Sequence, residues 1–170
     1  MLPLNRLREY QAEVCATLLD ENGKKLFNYS NMVVDDSELN LLLKERVEED
    51  NTYLISVVPS FRGKGEEDNA KWDNVLMFFI LDKTDYSEHD RDSFLNIFVN
   101  TQAKAQAFID KLLEDKQNNQ SLFCGFLNWL QEDSISVDPV WKKMDCNGWL
   151  IEINLETSLR RKQKRKYRRC

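Results

Sequence analysis

The chain has 170 residues, of which 42% are hydrophobic, 11% aromatic and 31% charged. That length suits one domain with a core of its own, and no window reaches the ~18 apolar residues that a membrane-crossing helix needs. The formal net charge of −5 conceals a segregation, because Arg160, Arg161, Lys162, Lys164, Arg165, Lys166, Arg168 and Arg169 stand together with no acidic residue among them. Setting these eight cations aside leaves 16 basic against 29 acidic residues, a balance of −13. The expected organisation is therefore an acidic globular body over 1–159 and a basic tail over 160–170. Such a tail suits an anionic partner: nucleic acid, a membrane surface or the acidic face of another copy. Met1 to Asn5 lacks the apolar run of a signal peptide. The four cysteines, Cys15, Cys124, Cys146 and Cys170, form no CxxC pair, and reduced thiols are expected.

In chain order, Leu7, Tyr10, Val14 and Leu18 recur at helical steps, with Arg8, Glu9, Gln11 and Glu13 between them, predicting an amphipathic helix over 4–20. Asn22-Gly23 ends it, and residues 24–29 read as a short edge strand protected by lysines. The capping residues Asp35 to Glu38, followed by Leu39, Leu42 and Leu43, predict a second helix as far as Val47. Thr52 to Val58 is β-branched and aromatic, and it reads as a core strand stopped by Pro59. Residues 60–73 hold Gly63, Gly65 and mixed charges, the pattern of a long connecting loop.

Val75 to Leu81 is seven apolar residues in a row, closed by a polar turn from Asp82. It predicts the central strand, buried on both faces and paired antiparallel with 52–58. Ser87-Glu-His-Asp90 has the spacing of a capping box. Phe94, Phe98, Thr101, Ala105, Phe108 and Leu112 then share one stripe of a long helix over 88–116, with a break suggested near Asn100. Phe123, Phe126, Leu127 and Leu130 suggest a helix over 122–130, weakened by Gly125. Ser134 to Trp141, with Pro139, reads as an irregular or edge strand. Asn147-Gly148 is the strongest turn dipeptide, and Leu150 to Leu155 alternates as a half-buried antiparallel strand. The fold class is α/β of the α+β kind: a mainly antiparallel sheet, a long helix on one face and an N-terminal helix. The second face is expected to be covered by the N-terminal helix or by a neighbouring subunit.

Groups able to do chemistry are sparse. The single histidine, His89, lies among Asp85, Glu88, Asp90 and Asp92, which reads as a hard-cation site or as a solvated helix start. A nucleophile needs a positioned base, and one histidine in so polar a setting argues against a triad. Phe61-Arg-Gly-Lys-Gly-Glu66 lacks phosphate-loop spacing, leaving a flexible loop or an anion contact. Glu48, Glu49 and Asp50, like Glu66, Glu67 and Asp68, sit in polar breaks as solvated charges. The basic tail is the one informative charge feature. It reads as a solvated terminus, as a salt-dependent nucleic-acid contact or as a dock for an acidic subunit.

The order of elements carries a family likeness. A helix precedes a loop-joined strand pair (Tyr53 to Pro59 and Val75 to Asp82), a long helix from Phe94 to Leu113, and a closing strand after Asn147-Gly148-Trp149. Over residues 50–157 this resembles small structural proteins of tailed bacteriophages, of the tail-terminator, tail-completion or neck kind. The resemblance implies a non-enzymatic virion protein without cofactors, made in the host cytoplasm and assembled as a homo-oligomeric ring around the DNA channel. Its partners would be its own copies and other virion proteins, and ring contacts require one patch to complement a different patch on the next copy. The strength of the basic tail departs from the family pattern. It keeps open the alternative of an accessory protein that binds nucleic acid through that tail.

Overall fold

The structure, a computed structural model, describes residues 1–65, 70–118 and 127–158. Helix α1 (Leu4–Thr17) buries Leu7, Tyr10 and Val14, as the spacing predicts, and also Gln11. The first strand is β1 (Tyr29–Val33) rather than 24–29. Asp20 folds its successors into a tight turn by accepting from the Asn22 and Lys24 N–H groups, each at 2.8 Å. Phe27 then sinks into the core against Phe108, so pairing starts only at Tyr29.

Helix α2 (Asp36–Lys44) is capped by Asp35, which accepts from Glu38 N–H, while the Glu38 carboxylate accepts from Val34 N–H at 2.6 Å. This is a variant of the capping box, with the return bond made to the residue before the cap rather than to the cap itself. Strand β2 (Tyr53–Lys64) runs through Pro59 instead of stopping there. A register shift between Val57 and Ser60 takes up the proline, whose missing N–H is tolerated at a bulge. Strand β3 (Lys71–Lys83) starts four residues earlier than the apolar run, so the expected loop over 60–73 is mostly paired strand. Asp82 likewise belongs to the strand and not to a turn.

Helix α3 (Arg91–Asn118) is continuous through Asn100. Its cap is Asp90, which accepts from Ser93 N–H at 2.8 Å, and not Ser87. Of the helix expected over 122–130, residues 122–126 lie outside the described residues. The remainder is a single 3-10 turn, Leu127–Trp129, drawn to the sheet by a bridge from Leu130 to Leu155. Strand β4 (Ser136–Lys143) is an edge strand as expected, and β5 (Cys146–Ser158) is the long closing strand.

Asn147-Gly148 is not the turn. Met144 and Asp145, with φ of 49° and 58°, make a two-residue connection of the kind that matches strand twist. Gly148 sits inside β5, where an added Cβ would stand 2.1 Å from the Ile80 carbonyl oxygen. The glycine serves close strand approach.

The five strands order as β1-β2-β3-β5-β4, with β1 parallel to β2 and every other pair antiparallel. The sheet is thus mixed, with the predicted central strand at its centre. Even-numbered residues of β3 (Leu76, Phe78, Ile80) and odd-numbered residues of β5 (Ile151, Ile153, Leu155) form one face. Both α1 and α3 cover that face, with Phe78 and Phe108 rings 4.9 Å apart. The N-terminal helix therefore does not cover the second face. That task falls to α2, through Leu39 and Leu43 against Val33, Tyr53, Ile55 and Leu81. Nine residues of helix span about 14 Å, against ~43 Å for a 13-residue strand. One end of the second face is covered and the rest is left open.

Candidate functional site

The residues singled out by charge take separate places. The basic run, Arg160, Arg161, Lys162, Lys164, Arg165, Lys166, Arg168 and Arg169, lies outside the described residues, as do Glu66, Glu67 and Asp68. Phe61 to Lys64 is strand, and Lys64 joins Lys71 in gripping Glu156 at 3.6 and 2.7 Å. That hydrogen bond holds the Glu156 carboxyl below the usual carboxylate range. Glu48, Glu49 and Asp50 form an exposed 3-10 turn.

Around His89 the carboxylates have local work. Asp85 accepts from Ser87 N–H and hydroxyl at 2.9 and 2.7 Å, and Asp90 caps α3; these bonds hold both carboxyls low. Among the described residues, no group of three or more His, Cys, Asp or Glu converges as metal ligands would. The Cys146 thiol is buried, and burial pushes its pKa up to about 12, far from the range of a reactive thiolate.

The open half of the second face has the more informative geometry. An open cleft of about 740 Å³ has Val57, Met77, Phe79 and Leu150 as its floor. Helix α2 supplies one wall through Asp36, Leu39 and Asn40, and the β4–β5 hairpin supplies the other from Pro139 to Met144. Trp141 stands on the hairpin rim with 66% of its surface exposed.

The hairpin is held rigidly from behind. Buried Asn147 accepts from Lys142 N–H at 2.9 Å, and its Nδ2 donates to Thr84 and Tyr86 hydroxyls at 3.1 and 2.8 Å. This side chain fixes Lys142 in a left-handed conformation (φ 54°) at the register shift between Val140 and Lys143. The Lys142 ammonium then lies 4.8 Å from the Tyr86 ring centroid and 5.3 Å from that of Trp141, within cation–π range of both. Ring contacts continue from Tyr86 to Phe94, Phe98 and Trp149, tying the hairpin to α3.

Charge in the cleft is sparse and directional. Lys143 pairs with Asp36 across it, and this bond lowers the Asp36 pKa. Lys142 has no carboxylate within 4 Å among the described residues. The Asn40 amide donates to Asp36 at 3.2 Å, while its Oδ1 is screened from water and has no hydrogen-bond partner. The cleft thus combines an apolar floor with one cation, Lys142, that has no carboxylate partner among the described residues.

Sequence reasoning missed this site because its residues come from β2, β3, α2, β4 and β5. The seven-residue apolar run reads as buried on both faces, whereas Met77 is only partly covered. The usable signal was Trp141, a large aromatic in an edge strand beside Pro139. No family model, curated protein or solved structure gives a significant match to the chain.

Proposed function

We propose that this chain is a non-enzymatic assembly subunit, a virion structural protein of a tailed phage that builds a homo-oligomeric ring at the head–tail junction or tail end. The observation that carries the reading is the half-open sheet face, where a preformed apolar cleft is flanked by a rigidly supported, exposed tryptophan. Exposed aromatic anchors beside desolvated pockets are what protein interfaces are built around. The acidic body with its basic run adds complementarity between copies, and such complementarity steers encounter and register.

Sedimentation velocity over a concentration series tests the proposal. Assembly into one defined oligomer is expected, with negative-stain images of rings as the corollary. A strict monomer up to about 1 mM, where even a contact of ~4 kcal/mol would be half formed, overturns it. Salt-sensitive DNA binding that disappears when residues 160–170 are deleted would move the assignment to the nucleic-acid-binding alternative.

A further inference from the structure

We propose that the cleft receives the outer face of α2 from a second copy of the chain; this rests on the assembly role proposed above. Helix α2 has two apolar faces. Leu39 and Leu43 are buried against its own sheet, while Leu41, offset by about 200° at 100° per residue, points away and is 63% exposed. Val34, just before the helix, and Val47, just after it, are also exposed, at 66% and 52%. Three exposed large apolar residues around one short helix exceed the scattered singles of an ordinary surface.

The charges around the ridge complement those of the cleft. Glu38 and Glu45 flank Leu41 at the i−3 and i+4 positions of the same face, with Lys44 at i+3, and Glu48 and Glu49 follow beyond the helix; all five are exposed, and acidic residues outnumber the cation four to one. The cleft offers the opposite sign in Lys142, since its other lining cation, Lys143, and its one lining carboxylate, Asp36, pair with each other.

Cleft and ridge lie on opposite sides of α2, so one copy cannot satisfy itself. Two copies joined this way still present one free cleft and one free ridge. The contact is heterologous and propagates from copy to copy, as ring or filament contacts do.

Two substitutions at exposed positions test the contact. Leu41→Arg disables the ridge, and Trp141→Glu places a carboxylate at the cleft where the acidic ridge must approach. Each variant, checked for wild-type urea unfolding, should lose self-association by about tenfold or more. Mixed together they retain one intact cleft and one intact ridge, so native mass spectrometry should find a 1:1 dimer and nothing larger. Trp141→Ser replaces Trp141→Glu if that variant fails to fold. Wild-type protein that assembles while both variants assemble equally well overturns this contact and leaves the assembly role standing. Variants that dissociate but stay monomeric when mixed overturn the pairing of these two surfaces. A wild type that is monomeric throughout removes the assembly role and the contact together.

Discussion

Gln11 is the polar residue on which the fold depends most visibly. It lies on α1 with 3% exposure, and it reaches the seam between the two parallel strands. Its Nε2 donates to the carbonyls of Asn31 on β1 and Leu54 on β2 at 2.8 and 2.6 Å, and its Oε1 accepts from the Ser56 hydroxyl at 2.6 Å. Gln11→Ala removes all three bonds and strands a fully buried serine hydroxyl. At about 1 kcal/mol net per bond, plus a term for the cavity, the expected loss is ~3–4 kcal/mol. Urea unfolding should then give a midpoint lower by about 1.5–2 M at unchanged slope, for a slope near 2 kcal/mol/M. A double-mutant cycle sharpens the test. In a Ser56→Ala background the Gln11→Ala increment should shrink by about 1 kcal/mol, because one of the lost bonds is already absent. A loss below 1 kcal/mol, or strict additivity with Ser56→Ala, would refute the clamp.

Two further outcomes follow from buried contacts. Gly148→Ala should destabilise by about 3 kcal/mol or more, from strained backbone at φ 151° and a Cβ driven against the Ile80 carbonyl. The melting temperature should fall by ~6–12 °C, and an unchanged melt would mean the strands separate freely at that point. Asp82 is largely buried, with Lys104 3.9 Å away and one buried carboxylate oxygen without a hydrogen-bond partner. Burial raises its pKa above the ordinary 3.8 against the opposing pull of Lys104 and Thr52. The stability it contributes is therefore fully present below pH 3.8 and is lost as pH rises through the folded value. Relative to wild type, Asp82→Asn should gain stability as pH rises from about 3 to 7. A trend in the opposite direction, followed by chemical unfolding across that range, would show Asp82 to be a net stabiliser in its ionised form.

The elements whose sides differ in polarity were legible in the sequence, and those defined by contacts across the chain were not. Leu7, Tyr10 and Val14 announced α1, and the alternation of Leu150 to Leu155 announced β5, because burial on one side leaves a periodic trace. Gln11 left none, since a buried glutamine and a solvated one look alike until Asn31, Leu54 and Ser56 surround it. Asn147-Gly148 misled for a related reason. The pair has the composition of a hairpin turn, but its asparagine is used as a buried hydrogen-bond hub and its glycine as clearance for Ile80. The cleft was illegible because α2 stops at Lys44, and helix length alone decides how much of the second face stays open. Trp141 signalled an exposed site without indicating what would stand opposite it.

The strand order also dictates a sequence of events during folding. Strands β2 and β3 are neighbours in the chain and can zip together across a short connection. The β3–β5 ladder must join Lys83 to Cys146 at one end and Lys71 to Ser158 at the other, closing a loop that contains all of α3. Such non-local pairing meets its chain entropy before contacts reward it, and proteins dominated by it fold slowly. Until β5 arrives, the far edge of β3 is an unpaired template and β4 has nothing to join. Until that pairing forms, the nascent chain exposes one edge of its most apolar strand, and the lysines and proline of β4 protect an edge that exists only once that strand has been sealed.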